Sequence, residues 1–409
     1  MRVLLAFVLA AAAAAAAGQR ASRNPASWRH LSSARGEIEA PGPSTQQTAA
    51  LIADLDKDGL QDFVIGSRVA GPSVLWYRRA GTGWRKFVID QDALPIEAGG
   101  ASLDIDGDGD LDLIFGADAS ASDIWWWENP HPKFEPSTPW VRRAIKNSGG
   151  RKHHDQLIGD FDADGRPELI TWNQGARGLL FFPLPDRPKQ IAFWPGEVIY
   201  TWTSGDELEG LAKADIDGDG REDIAGGGRW FRHIGERRFA PEMIDDAQRF
   251  TRVAAGQLKK GGWAEVVFAA GDHAGRLKWY EWTGREWLGH DLLGFDVNHG
   301  HSLAVGDIDG DGNADIFCAE MAKWSTRASQ PDNAGARAWM FFGDGRGQFE
   351  TVEFRRGIEN HDSKLADLDG NGTLDILSKT YNWNAPRLDV FLNPAPGVRK
   401  RARAKGAAR

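Results

Sequence analysis

Six times along this chain, acidic residues alternate with other residues and run into a glycine: Asp54, Asp56, Asp58 and Asp62; Asp104, Asp106, Asp108 and Asp112; Asp160, Asp162, Asp164 and Glu168; Asp215, Asp217, Asp219 and Asp223; Asp307, Asp309, Asp311 and Asp315; and Asp367, Asp369, Asn371 and Asp375. The shared pattern is D-x-D-x-[DN]-G-x-x-[DE]. Carboxylates packed so closely repel one another unless a cation sits among them. Alternate hard oxygens on a tight turn suit calcium, which takes about six to eight oxygen ligands. The glycine at the sixth place (Gly59, Gly109, Gly165, Gly220, Gly312, Gly372) permits the sharp turn that converges the oxygens. About six structural calcium sites are expected, one per loop.

A further copy of the pattern is degenerate. Gln257, Lys259, Gly261, Gly262 and Glu265 hold the equivalent places, and the Lys259 ammonium would repel calcium, so an ion-free unit is expected there. The first half of each loop is similar to a helix-flanked EF-hand loop, but that loop needs a glutamate at its twelfth position. Here the twelfth positions include Ile65, Phe115 and Gly226. The flanks also alternate and branch as strands do.

These loops must be held by a repeated element. Their first positions, with Gln257 as the fifth of seven, are spaced by 50, 56, 55, 42, 50 and 60 residues, the length of a propeller blade. Around each loop the order is the same. A short apolar strand enters it, as at 51–54, and a second leaves it, as at 62–65 or 112–115. A third, aromatic strand follows, as at 74–77 or 124–127, and then a fourth that often opens with tryptophan, as at Trp84, Trp140 and Trp287. The seventh unit stops after three strands at 388–392, and Trp28-Arg29-His30-Leu31 at the other end of the chain matches the missing one. The sequence predicts an all-β protein, a seven-bladed β-propeller of four-stranded antiparallel blades closed by its N-terminal strand. Its parts are a signal peptide (1–17), a linker (18–27), the propeller (28–393) and a basic disordered tail (394–409).

If the metal loops join first and second strands, they share one face, and the starts of the first strands ring the channel mouth on the other. Six residues before each loop stand Thr48, Ala98, His154, Glu209, Thr251, His301 and His361. Three of the ten histidines thus fall on one equivalent position. Arg252 and Tyr381 lie close by, as do Lys323, Trp172, Trp324 and Trp383, and the long loop 321–337 could overhang the mouth as a lid. Two readings are open. His154, His301, His361, Glu209, Arg252 and Tyr381 form a catalytic or ligand-binding funnel, with room for a transition metal on the imidazoles; or they are polar groups plugging a wet channel.

The repeats resemble the FG-GAP/VCBS units of the integrin α-subunit propeller and of many secreted bacterial proteins. Propellers with histidine and tyrosine in such a funnel are similar in architecture to polysaccharide lyases and the aldos-2-ulose dehydratase propeller. That resemblance implies an extracellular glycan or other small ligand and a lyase- or dehydratase-like reaction; the integrin-like one implies a non-enzymatic protein-interaction or adhesion module. No nucleophile elbow, phosphate loop, dinucleotide fingerprint or HExxH motif occurs.

Composition bounds the rest. Arg2 followed by the apolar run 3–17 reads as an export signal, giving a secreted or periplasmic protein with no membrane span. Cys318 is the only cysteine, so no internal disulfide is possible, and its apolar neighbours predict a buried thiol. Losing Arg2 takes the formal charge from −9 to −10, and six divalent ions would bring it to +2. The acidity is ligand acidity, and no nucleic-acid partner is expected.

Overall fold

The computed structural model describes residues 18–394 apart from 20, 204 and 206. The apolar leader (1–17) and nearly all of the basic tail (395–409) lie outside the described residues. Between them, seven antiparallel sheets of four strands follow one another around a ring. Blade 1 comprises Gln46–Ala53, Asp62–Arg68, Val74–Ala80 and Gly83–Asp90, and blade 2 comprises Ala101–Leu103, Asp112–Gly116, Ile124–Glu128 and Val141–Lys146. Blade 3 begins at His153–Gly159, blade 4 at Ala212–Ala214, blade 5 at Thr251–Gly256 and blade 6 at Ser302–Gly306. Blade 7 has Lys364–Ala366, Asp375–Lys379 and Leu388–Leu392, and its outer strand is Arg29–Ser32 from the other end of the chain. Arg29 pairs with Leu392 and Ser32 with Asp389, so the ring closes without leaving Leu388–Leu392 as an open edge.

The sheets are glued by apolar side chains from both faces of the middle strands. Val64, Trp76 and Phe87 of blade 1 pack against Leu113, Phe115, Trp125 and Trp127 of blade 2. Phe317 and Met340 of blade 6 meet Ile376 and Phe391 of blade 7, with Trp28 beside them. Trp76, Trp126, Trp127, Trp172 and Trp230 are fully buried. Each such ring removes about 150–250 Å² from water, or about 4–6 kcal/mol before entropy is subtracted. Cys318 lies in this packing, and burial raises its thiol pKa, as an inert core thiol requires.

The ninth-position acid of each loop has a role that the sequence did not isolate: it ties the loop to its own blade. Asp112 accepts from the Ile105 (3.0 Å) and Asn129 (2.8 Å) amides, and Asp315 from Ile308 (2.8 Å) and Gly343 (2.9 Å). Asp375 accepts from Leu368 (2.8 Å) and Asn393 (2.7 Å). Glu265 of blade 5 keeps the habit, accepting from Leu258 at 2.7 Å. An acid at this place has work to do in every blade, because buried amides need an acceptor.

The stretch before the first strand lies against the ring. Ser22 Oγ donates to Asn393 Oδ1 (2.8 Å), and Arg23 reaches Asp309 and Glu350, each at 2.7 Å.

Candidate functional site

The first strands bring their N-terminal residues together at one end of the channel. There a cavity of about 190 Å³ is lined by Arg68, Glu97, Asp118, Lys152, His154, Glu209, Asp272, His301, Met321, His361 and Tyr381. Five of the six expected residues are in this lining. The sixth, Arg252, stands behind it, with its guanidinium 2.7 Å from Asp155 and 3.5 Å from Asp362. Trp172 belongs to the core: it is fully buried, and its indole N–H donates to the Gly210 carbonyl (3.0 Å).

His154, Glu209 and His301 form the centre. His154 Nε2 is 3.2 Å from one Glu209 oxygen, and His301 Nε2 is 3.7 Å from the other and 3.8 Å from Asp272. All three are buried, and their ligand atoms lie within 4.8 Å of one another. Glu209 Oε2 and His301 Nδ1 have no hydrogen-bond partner among the described residues. Behind them His154 Nδ1 bonds Asp155 Oδ2 at 2.7 Å, which leaves Nε2 facing Glu209. Asp155 sits at a register shift with φ 55°, held by Arg252 and by the Gly210 amide (2.9 Å). Two imidazoles and a carboxylate with an unsatisfied oxygen are a donor set that fits a divalent transition metal.

Charge is distributed unevenly around this centre. Burial opposes a proton on His154, but the Glu209 and Asp155 carboxylates outweigh it and raise the imidazolium to about 9. Burial would raise Glu209, yet His154 and His301 draw it below the usual range. His301 stacks on His361 (4.4 Å, 11°), and His361 on Tyr381 (4.9 Å, 21°). Burial and the neighbouring Lys379 ammonium hold His361 well below an ordinary histidine. Lys379 Nζ is 3.0 Å from His361 Nδ1 and donates to the Gln47 carbonyl (2.8 Å), and burial lowers its own pKa to about 7. Beside this stack Arg68 bridges Asp118 and the Tyr381 oxygen. Burial raises Glu97 to about 7; burial would raise Asp118 too, but its hydrogen bond with Glu97 and the Arg68 guanidinium bring it below the usual carboxylate range.

Arg68, Glu97, Asp118, Lys152, Asp272 and Met321 were missed in the sequence. A signal existed for some of them. Arg68, Asp118, Met321 and Tyr381 all stand six residues after the ninth loop position, where second strands leave the blade. The loop 321–337 does cross the mouth: Lys323 of blade 6 bonds Asp272 of blade 5 at 2.8 Å, and Trp324 N donates to Asn382 of blade 7 at 2.7 Å.

On the far face the acidic side chains of the loops converge as the pattern requires. Asp54, Asp56 and Asp58 form one cluster, Asp104, Asp106 and Asp108 another, and Asp160, Asp162, Asp164 and Glu168 a third. Asp215, Asp217 and Asp223 form a fourth. The donor chemistry fits a hard cation. Comparison with protein-family models matches residues 104–171 and 261–318 to the FG-GAP-like repeat. FG-GAP-like repeats thus occur within this seven-bladed propeller.

Among curated proteins, this FG-GAP-like propeller is similar to the aldos-2-ulose dehydratase of Phanerodontia chrysosporium, with 24% identity over 265 residues. The match covers 54% of this chain and 28% of that protein, so the matched part of the chain corresponds to roughly a quarter of its relative's length. Among solved structures, BBS1N in complex with ARL6DN aligns over 90% of this chain and 97% of its own, at 12% identity and a TM-score of 0.54. Rhamnogalacturonan lyase YesW aligns over 92% of this chain and 77% of its own, at 15% identity and a TM-score of 0.48.

Proposed function

We propose that the propeller is an extracellular carbohydrate-acting lyase or dehydratase, calcium-stabilised on one face and catalytic in the cavity of the other. The observation that carries this is the buried convergence of His154, Glu209 and His301, with a carboxylate oxygen left unsatisfied at the cavity floor. Burying such a group is costly unless a ligand or ion completes it. The distant likeness to a protein named aldos-2-ulose dehydratase supports the same reaction class.

In this reading His154, Glu209 and His301 would hold a divalent transition metal, which supplies Lewis acidity toward a substrate oxygen. The protein's own groups do the rest. Asp155, fixed by Arg252, keeps His154 Nε2 turned inward. Lys379 donates to His361 Nδ1, which leaves the His361 Nε2–H as a donor to a carbonyl or carboxylate oxygen. An elimination takes a proton from the carbon beside that group, forms a C=C bond and breaks a C–O bond, and the departing oxygen needs a proton. Tyr381, with Arg68 donating to its oxygen, would give that proton, and the Asp118 carboxylate would receive the one removed. The loops would hold calcium through their alternate carboxylates, which suits a secreted or periplasmic protein.

Elemental analysis after mild chelation tests the reading. Wild type is compared with the His154→Ala/His301→Ala variant, and both are assayed on aldos-2-uloses and acidic glycans for a conjugated, ultraviolet-absorbing product. A retained zinc, manganese or iron that the variant loses, together with the product, supports it. Calcium alone in both proteins and no product would turn the assignment toward a protein-interaction propeller.

A further inference from the structure

Blade 5 carries a second site, independent of the channel and on the loop face. In the six acidic loops the turn amides at the fifth, sixth and seventh places are taken by the loop's own side chains. In blade 1 the Gly59 and Leu60 amides donate to Asp54 and Asp58, each at 2.9 Å, and the Asp58 amide also bonds within the loop. The same three bonds recur in blades 2, 3, 4, 6 and 7.

In blade 5 the acceptors are gone. Gln257 turns its amide the other way, donating to the Gly262 carbonyl at 2.8 Å, and Gly261 has no side chain. The amides of Gly261 and Trp263 have no acceptor among the described residues, and the Gly262 amide closes a turn over Lys260 and Gly261 instead of meeting a loop side chain. The backbone path also differs. The left-handed residue is Gly261 (φ 79°) at the fifth place, whereas blades 1 and 3 have Lys57 (61°) and Ala163 (60°) at the fourth.

Gly261, Gly262 and Trp263 line a cavity of about 270 Å³ with Lys259, Lys260, Glu281 and Trp282. The carboxylates there are already engaged. Glu281 is held by Lys259 and by His290 (3.0 Å), and Glu265 accepts from the Leu258 and Lys259 amides. Lys260 has no ion-pair partner among the described residues, and Trp263 is 41% exposed. The Trp263 ring is braced between Gly218 of the blade 4 loop and Gly284, where a Cβ would come within 2.6 and 3.3 Å of it.

Turn amides released from the loop's side chains, an unpaired ammonium and a braced indole reverse the preference of the parent loop. We infer that the blade 5 loop is an oxyanion site that takes the carboxylate of an acidic sugar, with the sugar ring against Trp263. Successive backbone amides beside a left-handed residue make an anion-binding nest, and the charge-assisted bond from lysine strengthens it. The aromatic face selects a ring-bearing anion over a free one.

The test is amide and indole NMR on the full-length, calcium-loaded protein, titrated with trigalacturonate and, separately, with inorganic sulfate. Trigalacturonate should shift the Gly261, Gly262 and Trp263 amides and the Trp263 indole. Lys260→Glu, at an exposed position, should weaken it at least about tenfold. Trp263→Ala should lose the preference for trigalacturonate over sulfate. The His301→Ala channel variant should respond as wild type, which separates this site from the cavity. Unmoved amides with both anions, or an unchanged affinity in Lys260→Glu, overturns the proposal. Sulfate binding with no trigalacturonate response overturns the sugar assignment.

Discussion

Glu265→Ala separates two meanings of the ninth-position acid. If these residues matter only as ion ligands, the change in the degenerate blade should be nearly silent. The geometry says otherwise. Glu265 is buried and accepts from the Leu258 amide at 2.7 Å and the Lys259 amide at 3.2 Å. Leu258 is fully buried, so its amide would be left without an acceptor, at about 1–3 kcal/mol. The Lys259 amide is nearer solvent and water can replace part of its bond, which brings the expected loss to about 2–4 kcal/mol. With an unfolding entropy of about 2 cal/mol/K per residue, a propeller of this length should lose about 3–5 °C in Tm. Urea and thermal unfolding, each in calcium and in chelator, provide the assay. The loss should be the same in both conditions, because no ion is involved. Asp315→Ala, which orphans the Ile308 and Gly343 amides, should cost about 3–6 kcal/mol and keep most of that cost in chelator. A Glu265→Ala loss below about 0.5 kcal/mol, or one present only with calcium, would refute the stapling role.

Other consequences can be checked in parallel. Exhaustive chelation should lower Tm by several degrees, since it leaves the loop carboxylates to repel one another, and native mass spectrometry should count about six calcium ions in the untreated protein. Arg252→Met should leave the fold intact and weaken metal retention in the channel by about 10–100-fold, because Asp155 loses the partner that aims His154. Removal of residues 18–32 should expose the Leu388–Leu392 edge and produce concentration-dependent aggregation in light scattering. Trp76→Ala should cost about 3–5 kcal/mol in urea unfolding, as it empties a fully buried site between blades 1 and 2.

The fold was legible in this sequence because a propeller repeats. Seven copies of one strand–loop–strand unit reveal their spacing, their period and the fourth strand missing after 388–392, and the register Arg29 to Leu392 is the closure that this arithmetic demands. His154, Glu209, His301 and His361 were legible for the same reason: equivalent positions in equivalent blades must converge at one mouth.

What repetition does not carry is the direction of a side chain or the company it keeps. Arg68 and Arg252 both lie at strand ends near the channel; only packing decided that Arg68 faces the cavity while Arg252 is spent on Asp155 and Asp362. Trp172 and Trp324 look alike as letters, yet one fills the core and the other crosses the mouth. The pairing of Lys379 with His361, and of Arg68 with Asp118, joins residues whose contact depends on strand register and the ring's curvature. Local sequence determined the repeated unit, because strand, turn and acid spacing act over a few residues. The tertiary structure decided the chemistry of the mouth, because seven blades place groups from the whole length of the chain within a few ångströms and burial there resets their charge.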